Sequence, residues 1–551
     1  MTTKTGFSAL KIAVLLAALP FFNQCSRNPV TGKKEFILMS ESQERSLGVS
    51  SDPQIQQEFG VYNDSSLQRY INEKGQAMAK ISHRPNLPFQ FKVMDSPVVN
   101  AFAVPGGFVY FTRGILAHFN NEAQLMGVLG HEIGHVTARH GAEQYTKQMI
   151  GQVVLIGAMI ASPKLAQYGN ELSQGMQLLF LKFSRDNESQ SDELGVNYSS
   201  KVGYDAKEMA GFFLTLQKLS GGAGQGVPEF LSTHPDPGRR NERVKAMAIE
   251  TQQKNPKNYD VNRDSYLRLI DGIIYGEDPK QGYVSNNVFY HPELKFQFNV
   301  PTGWKTQNTP VQFQMASPDS KGMMALTLAE EKSMEVAAAA NLEKYKLRGL
   351  SQKNVNVNGI SAIIQVADQI ADPNGQQQGA QAYQGNGVKD KNEPQNQPAP
   401  STSTPSSGGN APTQGNRKTP TGTPQPQNQP QNQPQNQPDN GENGVRIITM
   451  FVQYNGLIYR FYGASEIKDF NAYQSAFLNS LNSFKALTDN SKINVQADHI
   501  RVKTVQNDGT FADALRSFGM PEAKQKELSI LNGMELSDRV SRGMLIKTIG
   551  K

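Results

Sequence analysis

Cysteine is nearly absent: the 551 residues contain one, Cys25. That removes disulfides from the fold and excludes a metal site built from thiolates. A chain without cysteine beyond that point suits export with no need for disulfides. Long apolar runs are also missing. No stretch reaches the ~18 apolar residues expected of a membrane-spanning helix. Met149 to Ala161 is apolar but short and holds Gln152, so it reads as a packed segment or a flap beside a cleft. Charge of one sign is not in excess either. A net charge of +6, spread along the chain, gives no basis for nucleic-acid binding. Histidine is scarce, with His83, His118, His131, His135, His140, His234, His291 and His499 in the whole chain.

Two of those histidines carry a message. His131-Glu132-Ile133-Gly134-His135 places two imidazoles four residues apart, one turn apart on one helix face, where they can share a cation. Glu132 lies between them and can reach a metal-held water without ligating the metal. This is the HExxH pattern of zinc peptidases. Asn120 or Asn121 can cap such a helix, Glu122 suits its positive end, and Gly141 is a plausible stop. Gly130 and Gly134 are poor helix formers, each costing about 1 kcal/mol against alanine, and suggest close backbone packing around the site.

A catalytic zinc needs a third protein ligand and an open position. Glu188 and Asp192, in Phe183-Ser-Arg-Asp-Asn-Glu-Ser-Gln-Ser-Asp192, are four apart and share a helix face. One can ligate while the other accepts the remaining N–H of a ligand histidine. A solvated acidic face paired with Arg185 explains the same spacing. Residues 131–135 followed by Ser-Arg-x-x-Glu-x-x-x-Asp resemble the HtpX/BepA-like zinc metalloproteases, relatives of the CAAX prenyl protease. Asn100 to Gly114 resembles that family's strand before the catalytic helix, and Ser232-Thr233-His234-Pro235 with Arg240 resembles its Thr-His-Pro…Arg element. The likeness covers residues 28–250. It implies Glu188 as third ligand, Asp192 as its supporting partner, and His234 and Arg240 as donors to the reaction's oxyanion. His234 can alternatively fill the open zinc position and hold the site latent. Ser191 departs from the family's usual alanine. The other histidines, His140 included, read as surface or packing residues.

Residues 1–25 read as a signal peptide, with Lys4 and Lys11 before the short apolar run Ile12 to Phe22. The lone Cys25 resembles a bacterial lipoprotein attachment site, although Phe22-Asn23-Gln24 departs from the usual small residues before it. The expected location is the periplasmic face of the outer membrane, anchored by lipid at Cys25.

The expected organisation is multidomain. A mainly α zincin-type protease with a small β-sheet spans 28–255. A PsbP-like α+β domain spans 283–371 and 445–487. Its strands are expected around Asn287 to Trp304, Ile360 to Ile370 and Val445 to Tyr462, and its helices over Val336 to Leu350 and Phe470 to Phe484. Between its halves, 372–444 is rich in Gln, Asn and Pro and repeats Gln-Asn-Gln-Pro through Pro426, Pro430, Pro434 and Pro438. Such a tract cannot bury a core and is expected to be disordered. Residues 497–551 read strand, helix, helix, strand and resemble a divergent LysM module, which implies peptidoglycan contact. Asp508-Gly509-Thr510 replaces the Gly-Asp-Thr expected at its opening.

The function expected is a zinc metalloendopeptidase acting on misfolded or unassembled envelope proteins, with Glu132 as base. The alternative is an envelope chaperone, assembly factor or peptidoglycan-associated lipoprotein with a latent zinc site.

Overall fold

The computed structural model describes residues 26–149, 183–220, 229–234, 237–370 and 444–551. The signal peptide with Cys25, nearly all of Met149 to Ala161 and the Gln/Asn/Pro-rich tract lie outside them.

The N-terminal unit opens with α1 (Glu41–Phe59), whose Ser40 forms a capping box with Gln43, and α2 (Ser65–Ala79), capped by Asp64. A three-stranded sheet follows: β1 (Gln90–Met94), β2 (Ala101–Val104) and β3 (Phe108–Thr112), in the order β1-β3-β2. Strand β3 runs parallel to β1 and antiparallel to β2, which leaves β2 at an edge. Gly106 and Gly107, at φ 91° and 97°, make the turn between β2 and β3. A Cβ on Gly106 would come within 2.8 Å of the Glu44 carbonyl oxygen.

After the short helix α3 (Arg113–His118) comes α4 (Glu122–Thr137), which carries the HExxH residues and is buried along its whole length. Asn121 is its cap, its side chain accepting from the Gln124 amide at 2.8 Å. The helix does not run on to Gly141. It stops at Thr137, Arg139 turns the chain at φ 60°, and residues 140–149 form a new helical stretch. Helices α5 (Arg185–Lys201) and α6 (Lys207–Ser220) pack on α4; after α7 (Glu229–Thr233), α8 (Pro237–Lys254) packs across α5 and α6, and α9 (Arg263–Ile270) returns to touch α4.

The second unit is antiparallel. Strand β4 (Ile274–Tyr275) precedes a small four-stranded sheet of β5 (Tyr283–Ser285), β6 (Val288–His291), β7 (Phe296–Asn299) and the later two-residue strand Lys485–Ala486, which pairs with β7. A seven-stranded sheet contains β8 (Lys305–Thr309), β9 (Gln312–Ala316), β10 (Gly322–Leu328), β11 (Arg348–Val357), β12 (Ile360–Ile370), β13 (Gly444–Tyr454) and β14 (Leu457–Glu466), ordered 8-9-10-14-13-12-11. The helix expected to reach Leu350 is α10 (Met334–Lys344). Lys346 at φ 52° breaks it, and the chain continues as β11. Ile370 pairs with Gly444, so the Gln/Asn/Pro-rich tract interrupts a pair of adjacent strands. Helix α11 (Phe470–Asn482) covers the sheet, and Trp304 packs edge-on against its Tyr473 and Phe477.

The tail runs strand, helix, helix, strand as its sequence suggests: β15 (Asp498–Thr504), α12 (Phe511–Ser517), α13 (Glu522–Asn532) and β16 (Leu545–Gly550). It does not stand apart. Strand β15 pairs with β16 on one side and with β4 on the other. Ile500, Leu515, Leu531 and Leu545 belong to the same buried apolar cluster as Leu125, Leu129 and Ile133 of α4. Lys547 is fully buried and its Nζ donates to the carbonyl oxygens of Ala117 and Phe119, both at 2.9 Å, just before α4.

Candidate active site

Helices α4 and α5 meet through glycine. A Cβ on Gly130 would lie 3.0 Å from the Gly195 carbonyl oxygen, and one on Gly134 would lie 3.1 Å from Leu194 Cβ. This close approach carries Glu188 and Asp192 to the two histidines of α4.

Four side chains converge there: His131, His135, Glu188 and His234, all buried. His131 Nε2 is 3.0 Å from His135 Nε2 and 3.2 Å from His234 Nδ1. Glu188 Oε1 is 2.9 Å from His234 Nδ1 and 3.3 Å from His135 Nε2. A tetrahedral zinc with bonds near 2.0 Å sets its ligand atoms about 3.3 Å apart. The donor set and its spacing therefore fit a zinc ion, with His234, expected as donor or latch, standing among the groups that could hold it. Phe230 stacks on the His234 ring with centroids 4.5 Å apart, and Phe183 lies 3.9 Å from His135.

Glu132 is buried beside this cluster, and neither carboxylate oxygen has a hydrogen-bond partner among the described residues. Burial pushes its carboxyl up, against the pull of His234 and His131. Burial also pushes Glu188 up, but His234 and Arg240 outweigh it and hold that carboxyl well below the usual range. His234 is opposed in the same way: burial drives it down, while Glu188 and Glu132 leave it raised.

Asp192 Oδ1 stands 3.1 Å from His131 Nδ1, on the side of the ring away from the cluster. Arg240 holds Asp192 with two hydrogen bonds of 2.6 and 3.0 Å, and its Nη1 is 2.8 Å from Glu188 Oε2. Its guanidinium also lies 4.4 Å from the centre of the Phe213 ring. The structure thus brings together every site residue expected from the sequence.

It adds residues that the sequence did not single out. His140 is buried against His135, its Nδ1 3.1 Å from His135 Nδ1. Burial lowers its pKa to about 4. Glu44 and Arg139 form a buried ion pair at 3.0 Å, and with His135, Gly141 and the edge strand residues Ala103 to Pro105 they line a small cleft. Of the other histidines, His118 is buried with Nδ1 2.7 Å from the Gly114 carbonyl, and His499 contacts the Gly272 carbonyl at 2.8 Å, both packing roles.

Residues 65–248 match the model of Peptidase family M48. That match covers about a third of the chain, the stretch that holds His131, His135, Glu188 and His234. Similar curated proteins include the mitochondrial metalloendopeptidase OMA1 of Arabidopsis thaliana, 32% identical over 203 residues, covering 36% of this chain and 39% of that protein. The beta-barrel assembly-enhancing protease of Escherichia coli is 29% identical over 274 residues, covering 46% of this chain and 55% of that one. The chain thus spans about half or less of the length of these relatives. Among solved structures, cyanobacterial PsbP from Synechocystis aligns over 38% of this chain and 98% of its own, at 9% identity and a TM-score of 0.20. That score is too low to extend the description of the second unit. No helix among the described residues is long and apolar enough to cross a membrane.

Proposed function

We propose that this chain is a zinc endopeptidase of the cell envelope, with His131, His135 and Glu188 as ligands and Glu132 as general base. The observation that carries the reading is the convergence of two imidazole nitrogens and a carboxylate oxygen at tetrahedral spacing beside a buried carboxylate that makes no hydrogen bond among the described residues. A zinc ion held by these residues would supply Lewis acidity, lowering the pKa of a water and polarising the scissile carbonyl. Glu132 takes the proton of the attacking water and returns it to the leaving amine. Asp192 and, behind it, Arg240 hold His131 and Glu188 in place. Strand β2 lies at the edge of its sheet and borders the cleft; we assign its backbone the holding of an extended peptide, which suits unfolded substrates of loose sequence. Misfolded or unassembled envelope proteins are the substrates we assign, in line with the assembly-enhancing protease among the relatives. Glu132→Gln tests the mechanism: it retains one zinc per chain and cuts casein cleavage by about 10²–10⁴-fold. Retained cleavage contradicts it.

A second reading, latency, is favoured by the position of His234. Four protein ligands make a closed site, whereas catalytic zinc sites keep one position open. We assign His234 to a resting state in which it occupies the place of the reacting water. A chaperone or assembly role can then coexist with intermittent proteolysis.

We place the protein at the periplasmic face of the outer membrane through lipid on Cys25, supported by the leader-like residues 1–25. Palmitate labelling that is lost in Cys25→Ala supports this; equal labelling of the variant contradicts it. Peptidoglycan contact through 497–551 rests on the order strand, helix, helix, strand, and pull-down with purified sacculi tests it.

A further inference from the structure

We infer that His140 is a positioning residue for the metal site, fixing the tautomer in which His135 offers Nε2 to the cation. This rests on the zinc reading above. His135 Nε2 points into the cluster, 3.0 Å from His131 Nε2 and 3.3 Å from Glu188 Oε1. Its other nitrogen, Nδ1, faces His140 Nδ1 at 3.1 Å, so a hydrogen bond there needs the proton on one ring and a lone pair on the other. The choice is made on the far side of His140. Its Nε2 is 2.8 Å from Gln190 Oε1, a carbonyl oxygen that can only accept. The His140 proton therefore sits on Nε2, and its Nδ1 is an acceptor. His135 must then carry its proton on Nδ1, which leaves the Nε2 lone pair free for a metal.

The relay runs from the Gln190 amide through two imidazoles to the ligand position. It parallels the Asp192 contact on His131, with a neutral ring in place of a carboxylate. Ser191 Oγ, 3.2 Å from His140 Nδ1, brings a second donor, a hydroxyl, to the same acceptor. Both Ser191 and His140 are buried, so water does not substitute for these contacts. The backbone explains how a residue five positions after His135 comes back to it. Arg139 in the left-handed region ends the helical phase and folds His140 under the ligand ring.

The test is zinc affinity, measured by competition with a chromogenic chelator on the mature chain. His140→Leu removes the acceptor, and affinity falls ~10–100-fold. His140→Asn, whose amide oxygen overlays Nδ1, recovers most of that loss. The visible spectrum of the cobalt-substituted protein shifts in the Leu variant and returns toward wild type in the Asn variant. Gln190→Leu, at a half-exposed position, frees the tautomer without touching the core and lowers affinity several-fold; it carries the test alone if His140→Leu does not fold. Wild-type affinity in both His140→Leu and Gln190→Leu overturns the inference and leaves the zinc reading standing. Equal losses in Leu and Asn, matched by an equal fall in the melting temperature of the metal-free protein, reduce His140 to packing and also overturn it. Absence of zinc binding in the wild-type protein overturns both.

Discussion

Gly130 and Gly195 touch backbone to backbone, with room for only 3.0 Å between a Cβ built on Gly130 and the Gly195 carbonyl oxygen. That contact sets the distance between the helix that supplies two imidazoles and the helix that supplies the carboxylate.

Gly195→Ala should therefore damage the site as well as the fold. The added methyl would stand 3.0 Å from the Gly127 carbonyl oxygen and 3.1 Å from the His131 amide nitrogen. Overpacking of this kind costs about 1–3 kcal/mol, read as a lower urea midpoint. Because the strain falls at His131, zinc affinity drops with it. A destabilised variant with wild-type zinc affinity would separate the glycine contact from the site.

His234→Ala separates the two roles open to that residue. If His234 holds the resting state, three ligands remain, zinc stays bound at one per chain, and casein cleavage rises. A fall in cleavage with zinc retained would instead make His234 a donor to the reacting carbonyl.

The buried Lys547 gives a pH signature for the docking of the tail. Its Nζ donates to the carbonyl oxygens of Ala117 and Phe119, and burial holds its pKa well below the usual lysine value. The folded state thus gives up this proton more readily than the unfolded state, whose lysine titrates near ~10.4. Where the unfolded chain binds more protons, stability rises with pH. Lys547→Met takes a donor from two carbonyls and costs about 1–3 kcal/mol. Urea unfolding at pH 7.5 and 9.5 should show the wild type gaining on the variant at the higher pH. A flat or shrinking gap would contradict the lowered pKa of the buried amine.

The convergence of His131 and His135 was legible because its information is local: spacing of four on a helix is enough. Glu188 and Asp192 also share a turn, but only the likeness to a family distinguished them from a solvated acidic face. His140 was not legible. Helical phase places it off the ligand face, and that arithmetic fails at Arg139, whose left-handed backbone is not marked by glycine or asparagine. The edge strand β11 was hidden for another reason. Arg348 to Val357 is exposed on nearly every residue, so it shows no apolar alternation, and its partners come from pairing with β12. The element order of the tail was read correctly, while its seat against α4 was not, because docking surfaces leave no period in a sequence.

Metal content by mass spectrometry on purified residues 26–551, wild type beside Glu188→Ala, with casein cleavage on the same samples, tests the central claim most directly. One zinc per wild-type chain, lost together with cleavage in the variant, is the predicted result. No bound metal in the wild type, or full zinc and full cleavage in Glu188→Ala, would contradict it.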